Sequence, residues 1–295
     1  MNQNNQTTSQ RDERIGVILM IASVLLFTST ALLLSYMNRH HAVDGWVASA
    51  YRATLGLIMV YVMQRQTGKL SIQRVFTRPL LFARGLIGGS TIPLYYITIM
   101  EIGPGRAGMI TGSYPLFAAT FAMCFLKEGV ELRYYAYMAI ALAGLVGIFS
   151  DTGIGGGNPL FDSIALMGAI AGGICVVLIR HLRHTETTSN IFAAQCLFTL
   201  IIGVAGARES LLIFEPIRMS LLLLASVTVI GGQLCITQAF RSISVAKGST
   251  LQMLTPLLTV IGSALLIGES FGILEIAGGI AIMLASYKIV TSKTG

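Results

Sequence analysis

The sequence predicts an all-α membrane protein with ten transmembrane helices, arranged as two five-helix repeats of inverted topology. Three observations predict it. Ala, Val, Ile, Leu, Met, Phe, Trp, Tyr and Cys make up 54% of the 295 residues and charged side chains only 11%. Counting glycine and leaving out tyrosine, about 61% is apolar, against about 45–50% apolar and about 25% charged in soluble domains. Apolar windows recur along nearly the whole chain instead of forming one tail, and residues 106–128 can be laid on residues 247–269 at a constant offset of 141. This composition excludes a soluble enzyme and a disordered chain.

A spanning helix needs about 20 apolar residues, and ten windows meet that length. Residues 1–14 are a polar tail. The run that follows, 15–36, is too long for a signal-peptide core and lacks a small-residue cleavage site, so it is the first span. Span 2 (45–63) is apolar around Arg52, and span 3 (80–100) holds Arg84 near its start with Tyr95 and Tyr96 near its end. Span 4 (107–126) follows Arg106 and contains Pro115; span 5 (134–150) is glycine-rich and completes a first repeat over 15–150. A glycine-rich linker, 151–162, leads to the second repeat, 163–290. There, span 6 (163–179) carries Gly168 and Gly172, span 7 (190–206) is short and carries Gln195, and span 8 (219–240) carries Gln233, Thr237 and Gln238. Span 9 (246–267) contains Pro256, span 10 (271–290) is again glycine-rich, and a polar tail closes the chain at 291–295.

Cytoplasmic loops collect Lys and Arg. With the N-terminus inside, fourteen basic residues fall on inner segments and four on outer ones, so both termini are expected in the cytoplasm and the 151–162 linker outside. The net charge of +7 is read the same way, as a topology signal, because no basic stripe alternates with aromatics as a nucleic-acid surface would require. All four cysteines lie inside apolar windows and read as small buried hydrophobes.

Within the internal match, Arg106 pairs with Lys247, Pro115 and Leu116 with Pro256 and Leu257, and Glu128 with Glu269. Five spans per half is an odd number, so the second copy enters the membrane from the opposite side. Secondary transporters built on such repeats place substrate near the midplane between the halves. With Arg52 in span 2, the proline-bearing spans 4 and 9, the span-end Lys127-Glu128-Gly129 and Gly268-Glu269-Ser270, and glycine-rich spans 5 and 10, the chain resembles the drug/metabolite transporter superfamily, and within it the ten-span EamA-type exporters. That resemblance implies an inner-membrane solute exporter. Similar proteins export amino acids and other small metabolites, and relatives in the wider superfamily exchange sugar phosphates or nucleotide sugars. Fold-level likeness does not choose among these cargoes.

Proline inside a helix frees the carbonyl four residues earlier. Those carbonyls belong to Thr111 and Gln252, and one turn on stand Tyr114 and Thr255, so each half presents a polar pair at i and i+3 beside its kink. These four residues, with Tyr95, Tyr96, Gln233, Thr237 and Gln238, are the candidate substrate-binding set. The competing reading is a packing kink and helix-to-helix glue. Arg52, about 10 Å into span 2 at 1.5 Å per residue, is a candidate functional charge by its depth, with snorkelling as the rival; Arg84 reads as snorkelling. Arg106 and Lys247 precede helices whose positive dipole ends they oppose, which points to a gate meeting a carboxylate or phosphate. Glu128 and Glu269, at span ends, read as caps for orphan N–H groups, with proton coupling or gating as the alternative.

Other motifs fail. His181 and His184 lack metal-ligand partners at the right spacing, the glycine run at 153–157 lacks the Lys-Ser/Thr of a phosphate loop, and no Walker motif exists, so no cofactor, metal or ATPase partner is expected. Gly168 and Gly172 read as close helix packing and leave a homodimer open. The expected cargo is a small zwitterion, amino acids first, because Arg52 is the one charge read at mid-depth and hydroxyls, amides and half-helix dipoles suit a zwitterion. Hydrophobic drugs and sugar-phosphate-like solutes are the alternative. An intramembrane enzyme is disfavoured because the spans hold neither His nor Asp at depth.

Overall fold

The computed structural model describes residues 3–64, 73–126, 132–150, 157–182, 185–207, 211, 215–239, 242–243 and 251–291. Among the described residues all regular structure is helical: α1 (Gln3–His41), α2 (Gly45–Gln64), α3 (Gln73–Thr77), α4 (Pro79–Ile102), α5 (Pro104–Thr111), α6 (Tyr114–Leu126), α7 (Leu132–Ser150), α8 (Pro159–Leu182), α9 (Thr188–Gly206), α10 (Pro216–Ala239), α11 (Leu254–Gly262) running into a π-helical turn (Ser263–Ile267), and α12 (Ile273–Thr291).

Proline placement explains much of this segmentation. Pro79, Pro104, Pro159 and Pro216 each open a helix, where the missing N–H is one of the orphans anyway. Pro115 is the second residue of α6 and Pro256 the third of α11. Neither kinks a continuous span, as the sequence reading expects. Each sits in the first turn of a new helix, just past a break at Gly112 and Ser113 in the first case and at Met253 in the second. A first-turn proline loses no intrahelical bond, so breaking the span just before it costs less than bending through it. Gly112 and Met253 lie 141 residues apart, the offset of the internal match.

Six helices among the described residues are long and apolar enough to cross a membrane by length and composition, and shorter apolar helices cover Tyr135–Ser150 and Leu254–Ile267. Span 4 falls outside the six because it is divided into α5 and α6. Only 28–50% of each spanning window is buried inside the protein. Large side chains such as Ile18, Val146, Leu265 and Ile273 stand open at 64–86% exposure. An apolar surface of that extent is a lipid-facing one.

The helices pair closely. α1 packs on α10 and α11, α8 on α4 and α6, α2 on α9 and α10, and α4 on α9; α5 crosses α11, and α7 lies along α12. Small residues set the closest of these approaches. A Cβ on Gly144 would come 2.6 Å from the Gly278 carbonyl, and one on Gly278 would collide with the Gly144 carbonyl. Gly278→Val should therefore push α12 off α7 and cost about 1–3 kcal/mol through overpacking, seen as a lower melting temperature of the detergent-purified protein; an unchanged melting temperature would contradict the contact. Gly173, not Gly168, carries the packing of α8. Its Cβ would meet the Ala118 backbone and Phe117, whereas nothing lies within 4 Å of a Cβ on Gly168.

Candidate functional site

The two broken spans cross each other. Gly105, Gly108 and Gly112 form a stripe along α5 that faces Ser263, Thr259 and Pro256: a Cβ on Gly108 would lie 3.8 Å from Pro256 Cα, and one on Gly112 3.5 Å from Pro256 Cγ. Polar side chains gather around this crossing. The Tyr95 hydroxyl lies near Thr111, and Thr111 donates to the Ala107 carbonyl at 2.7 Å. The Gln252 amide donates to Ser23 Oγ at 3.0 Å and accepts from Thr255 Oγ1 at 3.0 Å. Tyr114 lies against α8, with its Cβ 3.6 Å from the Cβ position of Gly172.

The sequence reading placed Thr111 with Tyr114 on one helix face. The break separates them: Thr111 ends α5 and Tyr114 begins α6. Gln252 and Thr255 do stay together, bonded across the Met253 turn. Tyr96 is buried and lies within electrostatic reach of Arg52. On α10, Gln233 is half-buried and Gln238 exposed, while the side chain of Thr237 lies outside the described residues. Glu128, Lys247 and His184 also lie outside them. Among the described residues no group of His, Cys, Asp and Glu could hold a metal ion.

Arg106 does not stand free at a cavity mouth. It is fully buried, and its Nε and Nη2 donate to the two carboxylate oxygens of Asp162, each at 2.8 Å. Nη1 bonds Glu275 at 2.5 Å, and Nη2 also reaches the Ile148 carbonyl at 2.9 Å. One guanidinium thus ties the starts of α5, α8 and α12 to the end of α7. Desolvation is what drives this arrangement: a buried cation needs its donors filled, and a carboxylate accepts the guanidinium fork in parallel. Glu269 belongs to the same cluster. It accepts from the backbone N–H groups of Gly105 and Arg106 at 3.1 and 3.2 Å, capping α5 and not the helix that follows it in the chain. Burial pushes the Glu269 carboxyl above its ordinary range, and these N–H donors pull it partly back. Its carboxylate sits where a Cβ on Gly103 would be, and Gly103 turns from α4 into α5 at φ +83°, a conformation open to glycine. Asp162 is the member of this cluster that the sequence reading missed. The available signal was shared depth: with the inferred topology, Arg106, Asp162, Glu269 and Glu275 all fall at the outer end of their spans.

Arg84 does not snorkel. It is buried at 6% exposure, bonded through Nη2 to Gln195 Oε1 at 3.1 Å, which gives the Gln195 amide a partner inside span 7. Arg52 is buried at 7%. The cysteines are all free; Cys175 and Cys196 are buried, Cys235 half-buried and Cys124 exposed.

An all-helical bundle with lipid-facing surface, crossed broken helices and a polar belt around the crossing agrees with the comparison to known families: the EamA-like transporter family matches residues 14–150 and 160–291. The chain belongs to that family. This EamA-like chain is a multi-pass membrane protein of a transporter family. It is 29% identical over 136 residues to mouse solute carrier family 35 member G1, covering 45% of this chain and 35% of the relative. Against the human protein of the same name it is 27% identical over 192 residues, covering 63% of this chain and 47% of the relative. The matched stretches therefore span between a third and a half of those relatives. A solved crystal structure shares the fold at a TM-score of 0.62 and 18% identity, over 94% of this chain and 96% of that one.

Proposed function

We propose that this EamA-family transporter is an inner-membrane secondary transporter that exports small zwitterionic metabolites such as amino acids. It works by alternating access between two inverted five-helix halves, residues 15–150 and 163–290, joined by an external linker at 151–162. Both termini are cytoplasmic. The observation that carries the reading is the pair of helix breaks at Gly112 and Met253, which sit at the internal-repeat offset on two helices that cross. Broken helices near mid-depth supply free backbone groups and half-helix dipoles to cargo, and irregular backbone is tolerated in a membrane where it lines a cavity or lies within protein.

The helix contacts support two equivalent halves. Exchanging spans 1–5 with 6–10 turns the α1–α10 contact into α8–α4, α1–α11 into α8–α6, and α2–α10 into α9–α4, while α2–α9 and α7–α12 map onto themselves. Hydroxyls and amides of Tyr95, Tyr96, Thr111, Tyr114, Gln233, Thr237, Gln238, Gln252 and Thr255 make the binding belt. Arg106, Glu269 and their partners hold the outer end closed, with Lys247 and Glu128 as their inner counterparts.

Cells expressing the protein and loaded with labelled amino acids should release at least one of them faster than cells without it, and equal release across all twenty would overturn the cargo. Reporters fused after Gly295 or within 66–71 should read cytoplasmic and one within 153–157 external. A cytoplasmic signal from the last would overturn the inversion.

A further inference from the structure

Arg52 on α2 and Arg84 on α4 hold between them three buried N–H-bearing nitrogens with no hydrogen-bond partner among the described residues: Arg52 Nε, Arg84 Nε and Arg84 Nη1. The hydrogen bond that Arg84 does make goes to Gln195, which is itself fixed by donating to the Gly88 carbonyl at 3.3 Å. A Cβ on Gly88 would collide with Arg84 Nη1 and lie 3.3 Å from Cys175 Sγ of α8, and one on Gly56, a turn beyond Arg52, would lie 2.8 Å from Cys196 Sγ of α9, so both arginines border the packing of α2, α4, α8 and α9, with Cys196 within electrostatic reach of each. By helix rise, Cys196 is about 12 Å from the inner end of α9 and Arg84 about 8 Å from that of α4. Among the described residues neither arginine has an ion-pair partner. α2 and α9 contain no Asp or Glu, Glu101 lies at the far end of α4, and Asp162 of α8 is taken by Arg106. Arginine at such depth is stable only when paired, and two like charges sharing one junction repel. Arg106 shows what this protein does with a buried guanidinium that has its own partners. Arg52 Nε, Arg84 Nε and Arg84 Nη1 have none among the described residues.

We propose that Arg52 and Arg84 form an oxyanion subsite that takes a carboxylate of the transported solute, with Gln195 as a positioning residue for Arg84. The assignment of the occupant to cargo rests on the transport reading. A carboxylate offers about four lone-pair sites in one plane, enough for Arg52 Nε and for one of the two orphan nitrogens of Arg84, which lie on different edges of its guanidinium, and charge-assisted bonds to it are about twice as strong as neutral ones. A phospholipid headgroup presents the same oxyanion chemistry from another source, and the test separates the two.

The full chain is placed in phosphatidylcholine nanodiscs, and its melting temperature is followed against succinate and against neutral succinamide. The expected result is a saturable rise with succinate, none with succinamide, and at least about a tenfold weaker apparent Kd in Arg84→Gln and in Arg52→Gln, the loss of roughly 1.4 kcal/mol. Should an arginine variant fail to fold, Gly88→Ala is the second variant, because its Cβ would collide with Arg84 Nη1 while alanine suits a helix; it should weaken succinate likewise. The subsite is overturned if succinamide stabilises equally, if folded Arg84→Gln or Gly88→Ala keeps the wild-type Kd, or if added phosphatidylglycerol stabilises and soluble succinate does not. Failure of the two readings looks different. Wild-type amino-acid flux in folded Arg84→Gln would remove the subsite and leave the transporter, whereas Arg84-dependent succinate binding with no amino-acid flux would remove the amino-acid cargo and leave the subsite.

Discussion

Replacing Arg106 by glutamine should remove most of the folded protein from the membrane. The substitution leaves Asp162 and Glu275 as two carboxylates with at most 2% exposure and no cation between them. Breaking a buried pair by deleting one partner costs about 3–5 kcal/mol, because the surviving charge is stranded. Removing the whole set is much milder. Arg106→Gln combined with Asp162→Asn and Glu275→Gln should recover a large part of the folded yield, measured by size-exclusion chromatography of solubilised membranes and by thermal melting. A single variant as stable as the wild type would mean that the cluster holds nothing together. A triple variant worse than the single one would mean that charge pairing is not the reason. This expectation replaces a freely accessible outer gate at Arg106: a residue bonded to α7, α8 and α12 acts on cargo only after those bonds open.

Gln252→Leu should leave the amount of protein in the membrane nearly unchanged and lower transport by about tenfold, the loss of roughly one charge-assisted hydrogen bond worth about 1.5 kcal/mol. The Gln252 side chain bonds Ser23 of α1 and Thr255 at the start of α11, so leucine keeps its volume while removing both a donor and an acceptor. Initial rates of labelled amino-acid export, normalised to protein abundance, give the answer. Normal transport in this variant, or loss of the protein itself, would assign the amide to helix packing.

The sequence made the fold legible where one physical constraint dominates. Hydrophobic windows report spans because lipid permits little else, and the position of Met253 relative to Gly112 was already implied by the repeat that pairs Pro256 with Pro115. What it did not show was how each break resolves. A proline in an apolar run is compatible with a kinked helix and with a new helix, and the outcome depends on whether the residues just before it can leave helical geometry, as Gly112 and Ser113 do. Pairing across the bundle was equally hidden. Arg106 and Asp162 lie on different spans with no local spacing between them, so their contact follows from tertiary packing alone. Arg84 was misjudged for the same reason: a position near a helix end suggests snorkelling, and only the neighbouring Gln195 and the open face at Gly88 make burial the better outcome.

The polar belt around the crossed helix breaks is the centre of the account, and thiol accessibility tests it most directly. In a background where Cys124, Cys175, Cys196 and Cys235 are replaced by alanine, Thr111→Cys and Gln252→Cys are treated in intact membranes with a small charged methanethiosulfonate reagent. Alternating access around this belt predicts that both positions react, and that an amino acid which is carried slows the reaction at both. Cysteines at Thr111 and Gln252 that stay unmodified from either face of the membrane would show that no water-filled path reaches the crossing, and would contradict the account.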